Sequence, residues 1–97
     1  SVYAVYLITD IISGKQYVGS AYNKGGLLGR WTIYIETGHG NNRKMIELLE
    51  EFPNSYRQFE FSVLQILPKN LSDEEVINVE NLWKKKLHTR EFGLNEN

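Results

Sequence analysis

Two β-prone runs, SVYAVYLIT and KQYVGSA, stand either side of the turn-forming DIISG, and this pairing constrains the chain more than any other stretch. β-Branched and aromatic residues dominate both runs, which predicts a hairpin with strands over residues 2–9 and 15–20. A four-residue loop over 11–14 sets Lys15 opposite Asp10 and Tyr17 opposite Ile8, with Tyr6 the next residue on the same face. The two phenols then stand on diagonal positions, roughly 7–8 Å apart at the backbone. A two-residue loop would slide them apart, so turn length decides whether they meet.

Downstream, LLGRWTIYIET predicts a short helix closed by Gly38, against which Gly29 and several β-branched residues weigh. YNKGG before it reads as a loop. GHGNNRKMIELLEEFP supplies Asn41 or Asn42 as an N-cap, an apolar side of Met45, Ile46, Leu48, Leu49 and Phe52, and Pro53 as a stop. In FEFSVLQIL, Phe59, Phe61 and Val63 alternate with Glu60 and Ser62 before the run turns apolar at Leu64, Ile66 and Leu67, predicting a third strand with one well-covered end. LSDEEVINVENLWKKKL opens on a capping box, Ser72 with Glu75. The order strand, strand, helix, helix, strand, helix predicts an α+β fold: a small three-stranded, mainly antiparallel sheet flanked by helices.

At 97 residues the chain has the size of one domain, and 41% apolar residues support a single modest core to which two Trp, six Tyr and four Phe contribute heavily. Without cysteine it forms no disulfide, thiolate metal site or cysteine nucleophile, which fits an intracellular protein. No run approaches the roughly 20 apolar residues of a membrane span, so a soluble domain with no membrane partner is expected. Because the sequence opens on Ser1 rather than Met, residues 1–97 are expected to be one piece of a longer protein. With 11 basic against 12 acidic residues, the whole chain lacks the basic excess of a nucleic-acid binder. Lys84, Lys85, Lys86, His88 and Arg90 nevertheless cluster after the last helix, either complementing its macrodipole or contacting phosphate.

That helix contains a misfit. Val76, Val79, Trp83 and Leu87 form one stripe at helical spacing, and Glu80 falls inside it. An ionised carboxylate taken into an apolar face without a partner costs several kcal/mol. Either it bends outward to pair with Lys84 four residues on, or it meets a hard, largely hydrated cation such as Mg²⁺, which needs only one carboxylate and borrows substrate oxygens. Arg30 and Tyr34 lie one helical turn apart and could share an anionic target. His39, between two glycines, is accessible in a loop, and Asn95 sits on a tail able to fold back on the sheet. No His-x-x-x-His pair, calcium loop, Walker loop or nucleophile elbow occurs.

Taken in order, Ala4-Val5-Tyr6, Tyr17-Val18-Gly19 eleven residues on, Arg30, Tyr34, Glu80 and Asn95 resemble the GIY-YIG nuclease family along nearly the whole chain. His39 matches a position where some homing-type members carry histidine. The resemblance implies a divalent-metal-dependent DNA endonuclease domain that nicks one strand per active site by in-line attack of water. Implied roles are Glu80 as ligand of Mg²⁺ or Mn²⁺, Arg30 as phosphate clamp, Tyr6 as base and Tyr17 as orienter, Asn95 as a buttress and His39 as a steering group. Ala4 departs from the usual glycine, where a small local shift with retained activity is expected. Tyr34 stands for the family's histidine or tyrosine. Near-neutral charge implies weak DNA affinity, so target choice would fall to a further DNA-recognition domain or a partner subunit. The competing reading is a non-catalytic nucleic-acid or protein interaction module, in which Glu80 is merely paired and the tyrosines pack or stack.

Overall fold

The computed structural model describes residues 2–23 and 25–97, so Lys24 of the YNKGG loop lies outside the described residues. Strands β1 (Tyr3–Asp10) and β2 (Gln16–Ala21) are followed by helices α1 (Gly26–Thr37) and α2 (Arg43–Glu51). A 3-10 turn at Ser55–Gln58 leads into β3 (Phe59–Leu67), and helices α3 (Asp73–Leu87) and α4 (Thr89–Phe92) complete the order. The sheet runs β2-β1-β3 and is antiparallel throughout.

The hairpin has the expected register, with Ile8 opposite Tyr17 and Tyr6 opposite Gly19. Asp10 explains why the loop is four residues long. Its buried carboxylate accepts from the Ser13 hydroxyl at 2.6 Å and from the Ser13 amide at 3.2 Å. Gly14, at φ +79°, donates its amide to the Asp10 carbonyl at 2.7 Å. A short polar side chain thus folds the turn on itself, and the register of every downstream pair follows.

As the central strand, β1 is covered on both faces, which accounts for its nearly unbroken apolar run. Ala4, Tyr6 and Ile8 join Ala21, Leu27, Tyr34, Met45, Leu48 and Leu94 on the face covered by α1, α2 and the C-terminal tail. Val5, Leu7 and Val18 join Leu67 and Val76 on the other, where Val79, Trp83 and Leu87 of α3 complete the predicted stripe. Helix ends follow the sequence signals: Gly38 closes α1 in the left-handed region, Asn42 caps α2 by accepting from the Met45 amide, and Ser72 and Glu75 form a reciprocal capping box on α3.

Strand β3 departs from simple alternation. Tyr6 faces Val63 while Val5 faces Gln65, so Leu64 is an extra residue in a bulge. The bulge sends Phe59 and Phe61 to one face of the sheet and Leu64 and Leu67 to the other. Ile66, read from sequence with the apolar end, stays exposed. Among the described residues, no helix is long and apolar enough to cross a membrane.

Candidate active site at the outer edge of β2

Hairpin register and α1 together build an aromatic cluster. The Tyr6 ring lies 6.5 Å from that of Tyr17, 6.3 Å from Trp31 and 6.2 Å from Tyr34. Gly19 makes this possible, because a Cβ there would overlap the Tyr6 ring. Gly40, at φ +54°, likewise leaves its space to the Tyr34 ring. The Tyr6 hydroxyl donates to that of Tyr34 at 3.5 Å, and the Arg30 guanidinium lies 5.7 Å from the Tyr34 ring centre. Arg30 and Tyr34 therefore do face the same way, but Tyr34 is buried rather than offered to a ligand.

Electrostatics in this cluster favour neutral phenols. Burial pushes the Tyr6 and Tyr17 hydroxyls well above the usual tyrosine range, and the neighbouring Tyr34 adds to the effect for both. Arg30 works in the opposite direction on each. Partial burial opposes the charge on Arg30, but the phenolic oxygens of Tyr6 and Tyr34 more than offset it, so its affinity for the proton rises.

Glu80 approaches from the other side of the sheet. Helix α3 packs on the face opposite the tyrosines, and the Glu80 side chain reaches the outer edge of β2. There Oε1 accepts from the Ser20 hydroxyl at 2.5 Å and Oε2 contacts Lys84 Nζ at 2.6 Å. Lys84 is itself buried, and its ammonium also donates to the backbone oxygen of Asn97 at 2.8 Å. The basic run read from sequence is therefore divided. Lys84 turns inward, Lys86 lies over the Trp83 ring, His88 pairs with Glu91, and Arg90 donates to Asn81. Pairing with Lys84 occurs as the sequence allowed, but inward: the pair is sheltered, not bent out to solvent.

Around this edge opens a strongly polar cleft of about 290 Å³ lined by Tyr17, Asn41, Asn42, Glu80, Lys84 and Asn95, among others. Tyr17 enters it from one face of the sheet and Glu80 from the other. Asn95 closes its floor by accepting from the Val18 amide at 2.8 Å and donating to the Val18 carbonyl at 2.9 Å. Leu94 continues the seam, its amide donating to the Gln16 carbonyl, and Lys44 holds the Asn95 backbone oxygen. Asn95 thus binds the backbone between Tyr17 and Gly19 rather than any group in the cleft. His39 does not line the cleft although the next three residues do, and its Nδ1 accepts from the Asn41 amide at 2.9 Å. That bond fixes the tautomer with the proton on Nε2.

Sequence reasoning missed Ser20 and the inward course of Lys84. Strand alternation held the signal for Ser20, since it shares a face with Val18, the face that α3 covers. Among the described residues no group of three or more His, Cys, Asp or Glu gathers, and Glu96 at the cleft rim is turned to Arg43 at 2.8 Å. Glu80 is accordingly the carboxylate that could hold a cation. Its two oxygens offer about four lone-pair positions, of which Ser20 and Lys84 take two. This donor set fits a hard, mostly hydrated dication and no metal that demands an all-protein cage.

Tyr17 and Glu80 meet at one polar edge of a three-stranded antiparallel sheet, with Tyr6 and the α1 arginine Arg30 in the aromatic cluster behind it. This fold is that of a nuclease catalytic domain. The chain belongs to the GIY-YIG family: the GIY-YIG catalytic domain profile matches residues 2–95. Membership makes it an endonuclease and sets the interaction-module reading aside. Two solved structures are similar over essentially the full length. One is the catalytic domain of intron endonuclease I-TevI in a glutamate-to-alanine mutant, with TM-score 0.75, 26% identity, and coverage of 100% of this chain and 95% of that one. The other is the catalytic domain of homing endonuclease I-TevI, with TM-score 0.71, 28% identity, and coverage of 96% of each chain. No curated protein matches the sequence.

Proposed function

We propose that this domain hydrolyses DNA phosphodiester bonds with the help of Mg²⁺ or Mn²⁺ held by Glu80, nicking one strand per active site. One observation carries the reading: Tyr17 and Glu80, from opposite faces of the sheet, line the same polar cleft. A bound dication would supply positive charge at the scissile phosphate and the departing oxygen. Arg30 neutralises equatorial phosphate oxygens from the aromatic side, where its charge is already supported by Tyr6 and Tyr34.

Exposure favours exchanging the two tyrosine roles. Tyr6 is 1% exposed and donates to Tyr34, whereas Tyr17 reaches the cleft. Tyr17 is therefore the group that meets the attacking water, and Tyr6 holds Tyr17 and Arg30 in place. Since burial keeps the Tyr17 phenol neutral, it orients the water through its hydroxyl. It can take a proton from that water only as the phenolate, after added positive charge in the cleft has let it lose its own proton to solvent. His39, next in sequence to the cleft-lining residues 40–42, offers Nε2–H as a donor to phosphate. Asn95 acts through the Val18 backbone. With 11 basic against 12 acidic residues, target choice is assigned to a further domain or a second copy.

Nicking of supercoiled plasmid with Mg²⁺ or Mn²⁺ tests the proposal. Glu80→Gln is the informative variant because its amide oxygen can still accept from the Lys84 ammonium while its amide nitrogen donates to the Ser20 hydroxyl, so hydrogen bonding survives although the charge is lost. Glu80→Ala would leave Lys84 buried and unpaired, at about 3–5 kcal/mol, and would confound activity with unfolding. Glu80→Gln and Arg30→Ala are each expected to lower the nicking rate by at least about 100-fold, the scale of losing one charge-stabilising group. Folded variants that nick like the parent would refute the site.

A further inference from the structure

Lys84 stands where it can decide how readily the cleft takes up a cation. Its ammonium lies 2.6 Å from Glu80 Oε2, its side chain is 9% exposed, and the helical i,i+4 spacing holds the pair together. A buried lysine is retained only when paired; here the pairing group is the very carboxylate that would ligate the metal. We propose that Lys84 is a resident counter-cation that satisfies Glu80 in the metal-free protein and competes with the divalent ion for it, thereby setting metal affinity. The inference rests on the reading of Glu80 as metal ligand and concerns a residue outside the Tyr-Arg-Glu-Asn set.

Two opposing effects must be weighed. Removing a side chain that holds a ligand commonly weakens metal binding by 10–100-fold, because the ligand loses its orientation. Removing a fixed positive charge beside the ion does the reverse. Geometry decides between them. Ser20 grips the other carboxylate oxygen at 2.5 Å, so Glu80 stays aimed when Lys84 is lost. Lys84 also lines a neighbouring groove of about 440 Å³ with Ser20, Tyr22, Asn81 and Arg90, which gives the ammonium somewhere to turn when it releases Oε2. Repulsion therefore outweighs orientation, and the lysine restrains loading.

The experiment measures Mn²⁺ binding calorimetrically, without DNA, for the parent, Lys84→Met, Lys84→Arg and Glu80→Gln, each checked for folding by thermal melting. Lys84→Met is expected to bind on the order of 10-fold more tightly than the parent, Lys84→Arg like the parent, and Glu80→Gln not measurably. If Glu80→Gln abolishes binding but Lys84→Met binds equally or more weakly, the counter-cation is refuted and the ligand assignment stands. If no variant binds, or Glu80→Gln binds like the parent, both readings fall. Should Lys84→Met not fold, the ammonium resonance of Lys84 in the parent is followed by NMR during Mg²⁺ titration. A saturable shift supports displacement from Glu80, and an unmoved signal overturns it.

Discussion

The grip of Asn95 on Val18 makes a quantitative claim about how the tail serves the site. Asn95→Ala deletes both hydrogen bonds and leaves one amide donor and one carbonyl acceptor at a residue that is 0% exposed. Each buried group left unsatisfied costs about 1–3 kcal/mol. Because Asn95 borders the polar cleft, water can follow the lost side chain and hold the sum near the lower bound, about 2 kcal/mol. At about 4–8 °C per kcal/mol for a domain of this size, the melting temperature should fall by about 10 °C. Asn95→Asp separates the two bonds: the carboxylate can still accept from the amide but faces the carbonyl with no proton to give. It should destabilise at least as much at neutral pH and recover part of the loss once acid protonates it. Chemical denaturation gives the free energies, and hydrogen exchange at the Val18 amide reports the bond itself. A free-energy change under 0.5 kcal/mol in Asn95→Ala, with Val18 still protected, would refute the argument.

Alkaline stability provides a second test. A folded-state phenol held above the unfolded value near 10 adds stability that is intact below pH 10 and is lost as pH rises from there toward the folded value. While Tyr6 and Tyr17 stay neutral in the fold, each contributes a fall of about 1.4 kcal/mol per pH unit. Tyr6→Phe should reduce the slope by that amount in denaturation series above pH 10, and an unchanged slope would contradict the burial argument. Gly19→Ala should destabilise by about 1–3 kcal/mol through overlap with the Tyr6 ring. Tyr6→Leu in the same chain should recover part of that loss, whereas strict additivity by denaturation would show that the ring is not the obstacle.

How far the sequence was legible depended on whether a signal was local. Turn length and strand alternation are local, so the hairpin register and the meeting of Tyr6 and Tyr17 could be read in advance. Caps are local too, and Gly38, Asn42 and Ser72 closed or opened their helices as expected. The bulge at Leu64 was hidden because its cause is pairing with β1, which two-residue alternation cannot reveal. Lys84 was legible as the i,i+4 partner of Glu80, but not its inward course: that depends on the Asn97 backbone oxygen meeting its ammonium, a contact thirteen residues away that helical spacing does not reveal. Stripe analysis marked Glu80 as anomalous, and of the two partners it allowed, Lys84 on the same helix is the one in contact.

Asn97 has practical weight. Its backbone oxygen rests against the Lys84 ammonium and it lines the polar cleft, so whatever polypeptide is joined after it sets out from beside that cleft. A purification tag placed there would hang across the entrance and, if rich in histidine, would scavenge the same ions under study.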